Sequence, residues 1–382
     1  MKPEELRIAL FSGNYNYVRD GANQALNRLV GFLLRQGAHV RIYSPVVDEP
    51  AFRATGEMVH VPSIAIPGRA EYRVPLALPP SVRRDLASFA PNVIHIASPD
   101  IVAHRAVSWA RARGIPAVAS VHTRFETYLQ YYRLRWLEPA VRAMLRRLYQ
   151  RCDAIVAPAE STAAILRAQR MNSDISLWTR GVDRDQFNPA RRSLEWRRAR
   201  GIDDKEMVVA FLGRLVLEKG LDVFANAIDA ARATGVDLRI VAIGDGPART
   251  VFEERLPDCI FTGELTGDAL GTALASTDVF FNPSITETFG NVTLEAMASG
   301  LPVVAAAASG ATSLVQNNVT GRLSRPGDID GFAAALGDYW RDPSLRARHG
   351  EAGLAYARTM DWDEINAAVM QVYERVIERR RR

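Results

Sequence analysis

Short apolar runs alternate with helical stretches along this chain, and each run is stopped by glycine or a small polar turn. That alternation constrains the fold more than any other feature. Residues 6–11 end in Ser-Gly-Asn, a helical pattern follows over 22–36, and Gly37 stops it before a second run at 40–43. The order continues with 93–97, a helix near 101–113, Gly114, 117–121 and 154–157. A second series opens at 207–212 and passes through a helix ending at Thr234, then 238–243, 260–263, 279–281 and 302–308. Residues 328–358 and 363–382 read as helical. Continuous apolar strands separated by helices indicate parallel sheets covered on both faces. The predicted class is therefore α/β with two doubly wound, Rossmann-like domains. A chain of 382 residues is also long for one hydrophobic core. Between the two series the sequence turns basic and irregular, which places the boundary between Asp183 and Asp204. The expected limits are 1–190 for the first domain and 204–360 for the second, with a separate final helix over 361–382.

Several function classes drop out. The opening Met-Lys-Pro-Glu-Glu-Leu-Arg is charged and does not resemble a signal peptide. No apolar run approaches the roughly 20 residues a spanning helix needs, so a cytoplasmic location is expected. Cys152 and Cys259 stand far apart and form no metal or redox motif. No G-x-G-x-x-G follows the first strand, which argues against a classical dinucleotide site. The net charge of +5 and a pI near 9.3 point to an acidic partner. The chain carries no recognised nucleic-acid module, so nucleic acid is not that partner.

The chemistry concentrates at residues 282–300, Asn-Pro-Ser-Ile-Thr-Glu-Thr-Phe-Gly-Asn-Val-Thr-Leu-Glu-Ala-Met-Ala-Ser-Gly. A strand runs into a Pro-Ser turn and a short helix that Gly300 stops. Glu287 lies in the turn and Glu295 about one helical turn in. Between them, Thr288, Phe289, Gly290 and Asn291 bring backbone N–H groups to a helix N-terminus, where unpaired donors and the helix dipole favour an anion. Carboxylates on both sides suit a ligand with hydroxyls at each end and phosphates between, the layout of a nucleotide sugar. Arg214 and Lys219, in Gly-Arg-Leu-Val-Leu-Glu-Lys-Gly after strand 208–212, can meet those phosphates. Gly246 lies in the Gly-Asp-Gly-Pro turn after strand 238–243. Gly13 ends the first strand, as either a plain turn glycine or a point of close backbone approach to phosphate. His122 closes strand 117–121, where a side chain in an open α/β sheet faces the ligand crevice. His95 lies inside its strand and reads as a satisfied core residue. Asp183-Arg-Asp185 formally matches a metal-binding D-x-D pattern.

The Glu-x7-Glu, the Gly-Arg…Lys-Gly clamp, the strand-end histidine, the glycine loop and the Gly-Val-Asp linker occur in the order found in retaining GT-B glycosyltransferases of family 4, which the whole chain resembles. The resemblance implies two facing Rossmann-like domains with the active site in the cleft between them and a last helix crossing back to the first. It implies sugar transfer from a nucleoside-diphosphate donor with retention and without a metal, since Asp183 fits the linker better than a metal site. It assigns Glu295 to the ribose hydroxyls and Glu287 to the sugar's 3- and 4-hydroxyls. Phe289–Asn291 with Arg214 and Lys219 would hold the diphosphate, and His122 would stand by the reacting sugar. The turns at Gly246 and Gly263 would border the base. Relatives often carry Gly-Gly at Ser309-Gly310 and a glutamate at Ser313, so this chain departs from the pattern at the phosphate pocket.

Residues 124–151 hold seven arginines and two glutamates. Tyr128, Tyr131, Tyr132, Arg133 and Trp136 precede a helix in which Leu137, Val141, Met144, Leu145 and Leu148 recur at helical spacing beside Arg142, Arg146 and Arg147. Pro139 suits its first turn. A basic surface helix accounts for the pattern. Aromatic and arginine residues beside an apolar stripe are also what contact with an anionic membrane requires, and that reading is preferred. With it go a lipid acceptor and a peripheral position on the inner face of the plasma membrane. The segment also resembles diacylglycerol glycosyl- and mannosyltransferases. Alternatives are a soluble acceptor, a nucleotide-sugar 2-epimerase and a non-enzymatic membrane adaptor. The terminal Glu-Arg-Arg-Arg-Arg reads equally as a solvated end or a second lipid contact.

Overall fold

The structure is a computed structural model that describes the chain apart from residues 19, 67–68 and 123–134 and the side chains of 66, 69–72, 135 and 309. It divides into two compact units, Met1–Arg180 with Trp362–Arg382, and Gly181–Asp361.

In the first unit, strands β1 (Arg7–Phe11), β2 (His39–Ser44), β3 (Glu57–His60), β6 (Val93–Ile96), β7 (Ala117–Ser120), β8 (Ala154–Ala157) and β9 (Ile175–Leu177) form one parallel sheet. Its order is β3-β2-β1-β6-β7-β8-β9. The intervening β4 (Ser63–Ile66) and β5 (Arg69–Pro75) pair antiparallel as a separate hairpin. The central strands are buried residue after residue, as expected of a sheet covered on both faces. Asp20 and Asp100 cap the helices Gly21–Arg35 and Ile101–Arg111 by accepting N–H groups of Asn23 and Ala103.

The last helix, Trp362–Arg381, belongs to this unit, as a helix crossing back requires. Val369, Val372, Tyr373, Val376 and Ile377 pack into the core with Ile8, Leu10, Val93 and Val118. Polar contacts fix it as well: Asn366 accepts from Trp178 Nε1 at 3.1 Å, Arg379 pairs with Asp174 at 2.6 Å, and Arg380 pairs with Asp153 at 2.7 Å. Two of the terminal arginines are thus engaged with the chain's own carboxylates.

The second unit repeats the plan. Strands β10 (Val208–Leu212), β11 (Arg239–Ile243), β12 (Ile260–Gly263), β13 (Val279–Asn282), β14 (Val303–Ala306) and β15 (Gly321–Ser324) run parallel in the order β12-β11-β10-β13-β14-β15. That is the 3-2-1-4-5-6 order of a dinucleotide-type doubly wound fold. Helical residues 328–358 resolve into Ile329–Arg341 and Pro343–Ala357, separated at Asp342, which caps the second of them.

The contacts divide the chain ten residues before the expected end of the first domain, at Arg180/Gly181. Contacts on both sides of residue 190 tie the linker to the second unit, among them a buried ion pair. Arg197 is fully buried and donates to Asp278 Oδ2 at 3.0 Å and to the carbonyls of Ser276 and Asp203. Arg192 pairs with the other oxygen of Asp278 at 2.7 Å. Gly271 lies so close to the carbonyl of Gln186 that a Cβ there would stand 2.0 Å from its oxygen. The linker is therefore stitched to the second unit. Asp183 accepts the N–H groups of Asp185 and Gln186, so its carboxylate closes a turn. Removing one partner of a buried pair leaves an uncompensated charge. Asp278→Ala is therefore expected to lower the unfolding free energy of the second unit by about 3–5 kcal/mol, measured by urea denaturation. A loss below about 1 kcal/mol would show that the pair is not what anchors the linker.

Candidate active site

The second unit assembles its site where β10 and β13, neighbours in the sheet, release the chain at their carboxyl ends. Asn282 closes β13: its Oδ1 accepts Ser284 N–H at 3.1 Å and its Nδ2 donates to Thr293 at 3.3 Å. Ser284 and Thr286 are within 3.2 Å through their hydroxyls, and Thr286 reaches the carbonyl of Glu218 at 3.3 Å. The turn after β13 is thereby tied to the loop after β10. Gly220, at φ 73°, lets that loop lie against Pro283, whose carbonyl oxygen a Cβ would meet at 3.3 Å.

These ties bring Lys219 and Glu287 together. Their side chains form an ion pair, both partly buried. They lie 68 residues apart in sequence, and the family resemblance gives the two to different parts of one ligand. A carboxylate has four lone-pair positions, so Glu287 can hold Lys219 and still accept hydroxyls. Beyond it the chain passes Thr288, buries Phe289 and turns at Gly290, φ 95°, which is the N-cap of helix Asn291–Ala298. Glycine offers no side-chain cap, so the first N–H groups of this helix are satisfied by no side chain at the N-cap. Glu295, partly buried, lies on the same helix.

Arg214 is exposed in the loop after β10. That loop is knitted to the turn after β11: Leu215 N–H donates to Asp245 O and Ala248 N–H to Leu215 O, each at 3.0 Å. Gly246 makes this contact possible, since a Cβ there would stand 2.4 Å from the Leu215 carbonyl oxygen. Gly310 plays the same part against the Glu287 turn, with a Cβ at 2.7 Å from that of Glu287. Nothing local in the sequence around Gly310 points to Glu287 as its neighbour.

In the first unit, Gly13 N–H donates to Ser98 Oγ at 2.8 Å, and a Cβ on Gly13 would stand 3.1 Å from Asp100 Oδ2. The close approach at this glycine is thus to the chain's own Ser98 and Asp100. Burial pushes the Asp100 carboxyl up to about 6.

His122 lies two residues beyond the end of β7. Its Nε2 is 2.7 Å from Ser120 Oγ, and its Nδ1 is 3.0 Å from an Arg180 guanidinium nitrogen. A guanidinium only donates, so Nδ1 accepts and the proton of the neutral ring sits on Nε2. Burial and the adjacent Arg180 both hold the imidazole well below its ordinary value. Both ring nitrogens are therefore engaged within this unit, and neither stands ready as a general base.

In the basic segment, Tyr128, Tyr131, Tyr132 and Arg133 lie outside the described residues. Trp136 lies in a short turn and is 74% exposed. Leu145 and Leu148 of helix Glu138–Tyr149 are buried while Met144 is exposed, so the apolar stripe only partly enters the core. Arg142 pairs with Glu138 and Arg146 donates to Gln169 O at 3.0 Å, whereas Arg147 is exposed. The predicted basic face is thus partly committed to internal partners.

Residues 19–186 match the family described as Glycosyltransferase Family 4, and residues 206–342 match Glycosyl transferases group 1. A GDP-mannose-dependent alpha-mannosyltransferase of Mycolicibacterium smegmatis is 34% identical over 384 residues, 98% of this chain and 99% of that protein. The chain belongs to family 4 of the glycosyltransferases. Sulfoquinovosyl transferase SQD2 of Arabidopsis thaliana is 32% identical to this glycosyltransferase over 376 residues, 95% of the chain and 73% of the relative. Among solved structures, a sucrose-phosphate synthase from Thermosynechococcus elongatus superposes with a TM-score of 0.79 at 19% identity, covering 98% of this chain and 100% of that one. That likeness shows the GT-B fold. Membership sets aside the epimerase and adaptor readings. The enzyme moves sugar from a nucleotide-sugar donor. Among the described residues no helix is long and apolar enough to cross a membrane.

His95, fully buried, is held neutral by burial at about 3, and His122 is neutral too. Both values are depressed, so the unfolded chain binds more protons below about pH 6.5 and stability falls as pH drops through that point. The two together are expected to cost on the order of 2 kcal/mol between pH 7 and pH 5.5. His122→Asn should roughly halve that slope in denaturant titrations. An unchanged slope would show that His122 is protonated in the folded enzyme.

Proposed function

We propose that this glycosyltransferase moves a hexose-type sugar from a UDP- or GDP-sugar to a membrane lipid at the cytoplasmic membrane surface, with retention and without a metal. The observation that carries the donor half is the joining of Lys219 to Glu287 beside a helix N-terminus whose N-cap is a glycine. Glu295 takes the ribose hydroxyls and Glu287 the sugar's 3- and 4-hydroxyls. Lys219, Arg214 and the N–H groups of Phe289, Gly290 and Asn291 take the diphosphate, with Thr288 and Gly246 shaping its loops. His122 stands by the reacting sugar as a neutral, fixed ring, whereas the Gly13 N–H is already given to Ser98 and leaves that glycine as a turn. As the bond from the anomeric carbon to the diphosphate breaks, cations and helix N–H groups meet the charge that develops on the leaving oxygen. The acceptor oxygen adds from the same face and its proton passes to that phosphate oxygen. This course needs no protein nucleophile.

Support for a lipid acceptor comes from Trp136, Met144 and Arg147, exposed together at the start and along one helix that follows the basic aromatic segment.

Glu287→Ala and Lys219→Ala are each expected to cut kcat by at least about 100-fold with melting temperatures near wild type. Turnover within a few-fold of wild type removes that residue from the site. A thermal-shift panel of UDP, GDP, ADP and their sugars should name the base, since a ligand at 100 times its Kd adds about 2.7 kcal/mol. No shift from any of them sinks the donor assignment. The wild-type enzyme should pellet with phosphatidylglycerol vesicles in low salt, and Trp136→Ala/Arg147→Ala should pellet several-fold less. Equal recovery in the supernatant with and without vesicles favours a soluble acceptor.

A further inference from the structure

His122 is the near end of a buried polar line that runs through the first unit to the last helix. Ser120 Oγ, 2.7 Å from His122 Nε2, is also 2.8 Å from Nε2 of His95. On its other side, Nδ1 of His95 is 2.5 Å from the hydroxyl of Tyr373. Ser120, His95 and Tyr373 are at most 3% exposed. At the His122 end stands Arg180, 4% exposed, which donates to the carbonyls of Trp178 at 2.7 Å and Thr179 at 2.9 Å as well as to Nδ1 of His122. Its guanidinium lies over the Trp178 ring at 4.7 Å, and the same ring meets His122 edge-on at 5.3 Å.

Arg180 is a costly residue to place there. Among the described residues no carboxylate lies within ion-pair distance of it, and burial alone brings its guanidinium down to about 9. The other buried arginine among the described residues, Arg197, has a carboxylate partner in Asp278. A buried cation without a counter-ion costs stability, so a role other than stability accounts better for it. Its carbonyl bonds fix the guanidinium, and the guanidinium in turn fixes His122. Donation into Nδ1 admits one tautomer only, with the Nε2 proton directed at Ser120.

We propose that Arg180 is a positioning residue of the sugar-transfer site, which with Ser120 clamps His122 in one tautomer and one orientation. His95 and Tyr373 extend that clamp to the last helix. What His122 then presents to a sugar is a rigid ring edge and main chain, held to the tolerance that transfer chemistry demands. The inference rests on the reading that His122 stands by the reacting sugar. The hydrogen-bond line itself does not depend on that reading.

The test joins a spectrum to kinetics on the full-length enzyme labelled with 15N-histidine, with His122 assigned from the spectrum of His122→Asn. Wild type is expected to show His122 with one bare and one protonated ring nitrogen, unchanged from pH 8 to pH 6. Arg180→Met should mix the tautomers and lower kcat at least about tenfold, with the KM for the donor changed far less. Arg180→Lys keeps a donor and should recover most of the loss. Should Arg180→Met unfold, Ser120→Ala removes the other jaw of the clamp and is expected to give the same split between kcat and KM. A single tautomer retained in Arg180→Met, or kcat per folded enzyme within twofold of wild type in both variants, overturns the proposal. Absence of any nucleotide shift in wild type overturns the donor assignment instead, and the spectrum still judges the clamp.

Discussion

A parallel strand buried on both faces hands its chain on at its carboxyl edge, and every other feature of this enzyme depends on that constraint. Because β10 and β13 are adjacent and parallel, the loop holding Arg214 and Lys219 and the turn holding Glu287 emerge side by side. Because β6 and β7 are adjacent and parallel, His95 and Ser120 can bond across the strands and Ser120 can reach His122 just past the strand end. The backbone ladder thus supplies proximity. Side chains only refine it.

Refinement at the donor site is mostly a matter of glycine. The chain segments after β10, β11, β13 and β14 approach one another so closely that a Cβ at Gly246 or Gly310 would overlap a neighbour. Close packing of loops converts flexible connections into a rigid seat, which is what stabilising a developing charge requires. Polar side chains then set the ends: Asn282 closes its strand, and Thr286 bridges to Glu218.

The first unit places its polar residues differently. There the donors and acceptors lie inside the sheet's own cover, between strands and the last helix. Tyr373 joins the line from a helix nearly 280 residues away in sequence from His95, at 2.5 Å. The closing helix thus does more than cover apolar surface with Val369, Val372 and Val376.

Much of this was written in the sequence. Central strands announce themselves as unbroken apolar runs, because both of their faces are buried, and the structure keeps every one of those predicted. The strands that no such run marks, β3, β9 and β15, lie at sheet edges, and the β4–β5 hairpin stands apart from both sheets. An edge strand such as Glu57–His60 has exposed positions and needs no such run. The Glu287–Glu295 spacing, the clamp residues and the strand-end histidine were likewise legible, because each lies next to a strand end or helix start that local pattern marks. Tertiary structure alone decided the rest. It joined Lys219 to Glu287, gave the linker to the second unit through Arg197 and Asp278, and set Arg180 behind His122. Local pattern fixes what a residue's own element is; which side chains meet depends on strand order and loop packing, and a single sequence carries no local signal for either.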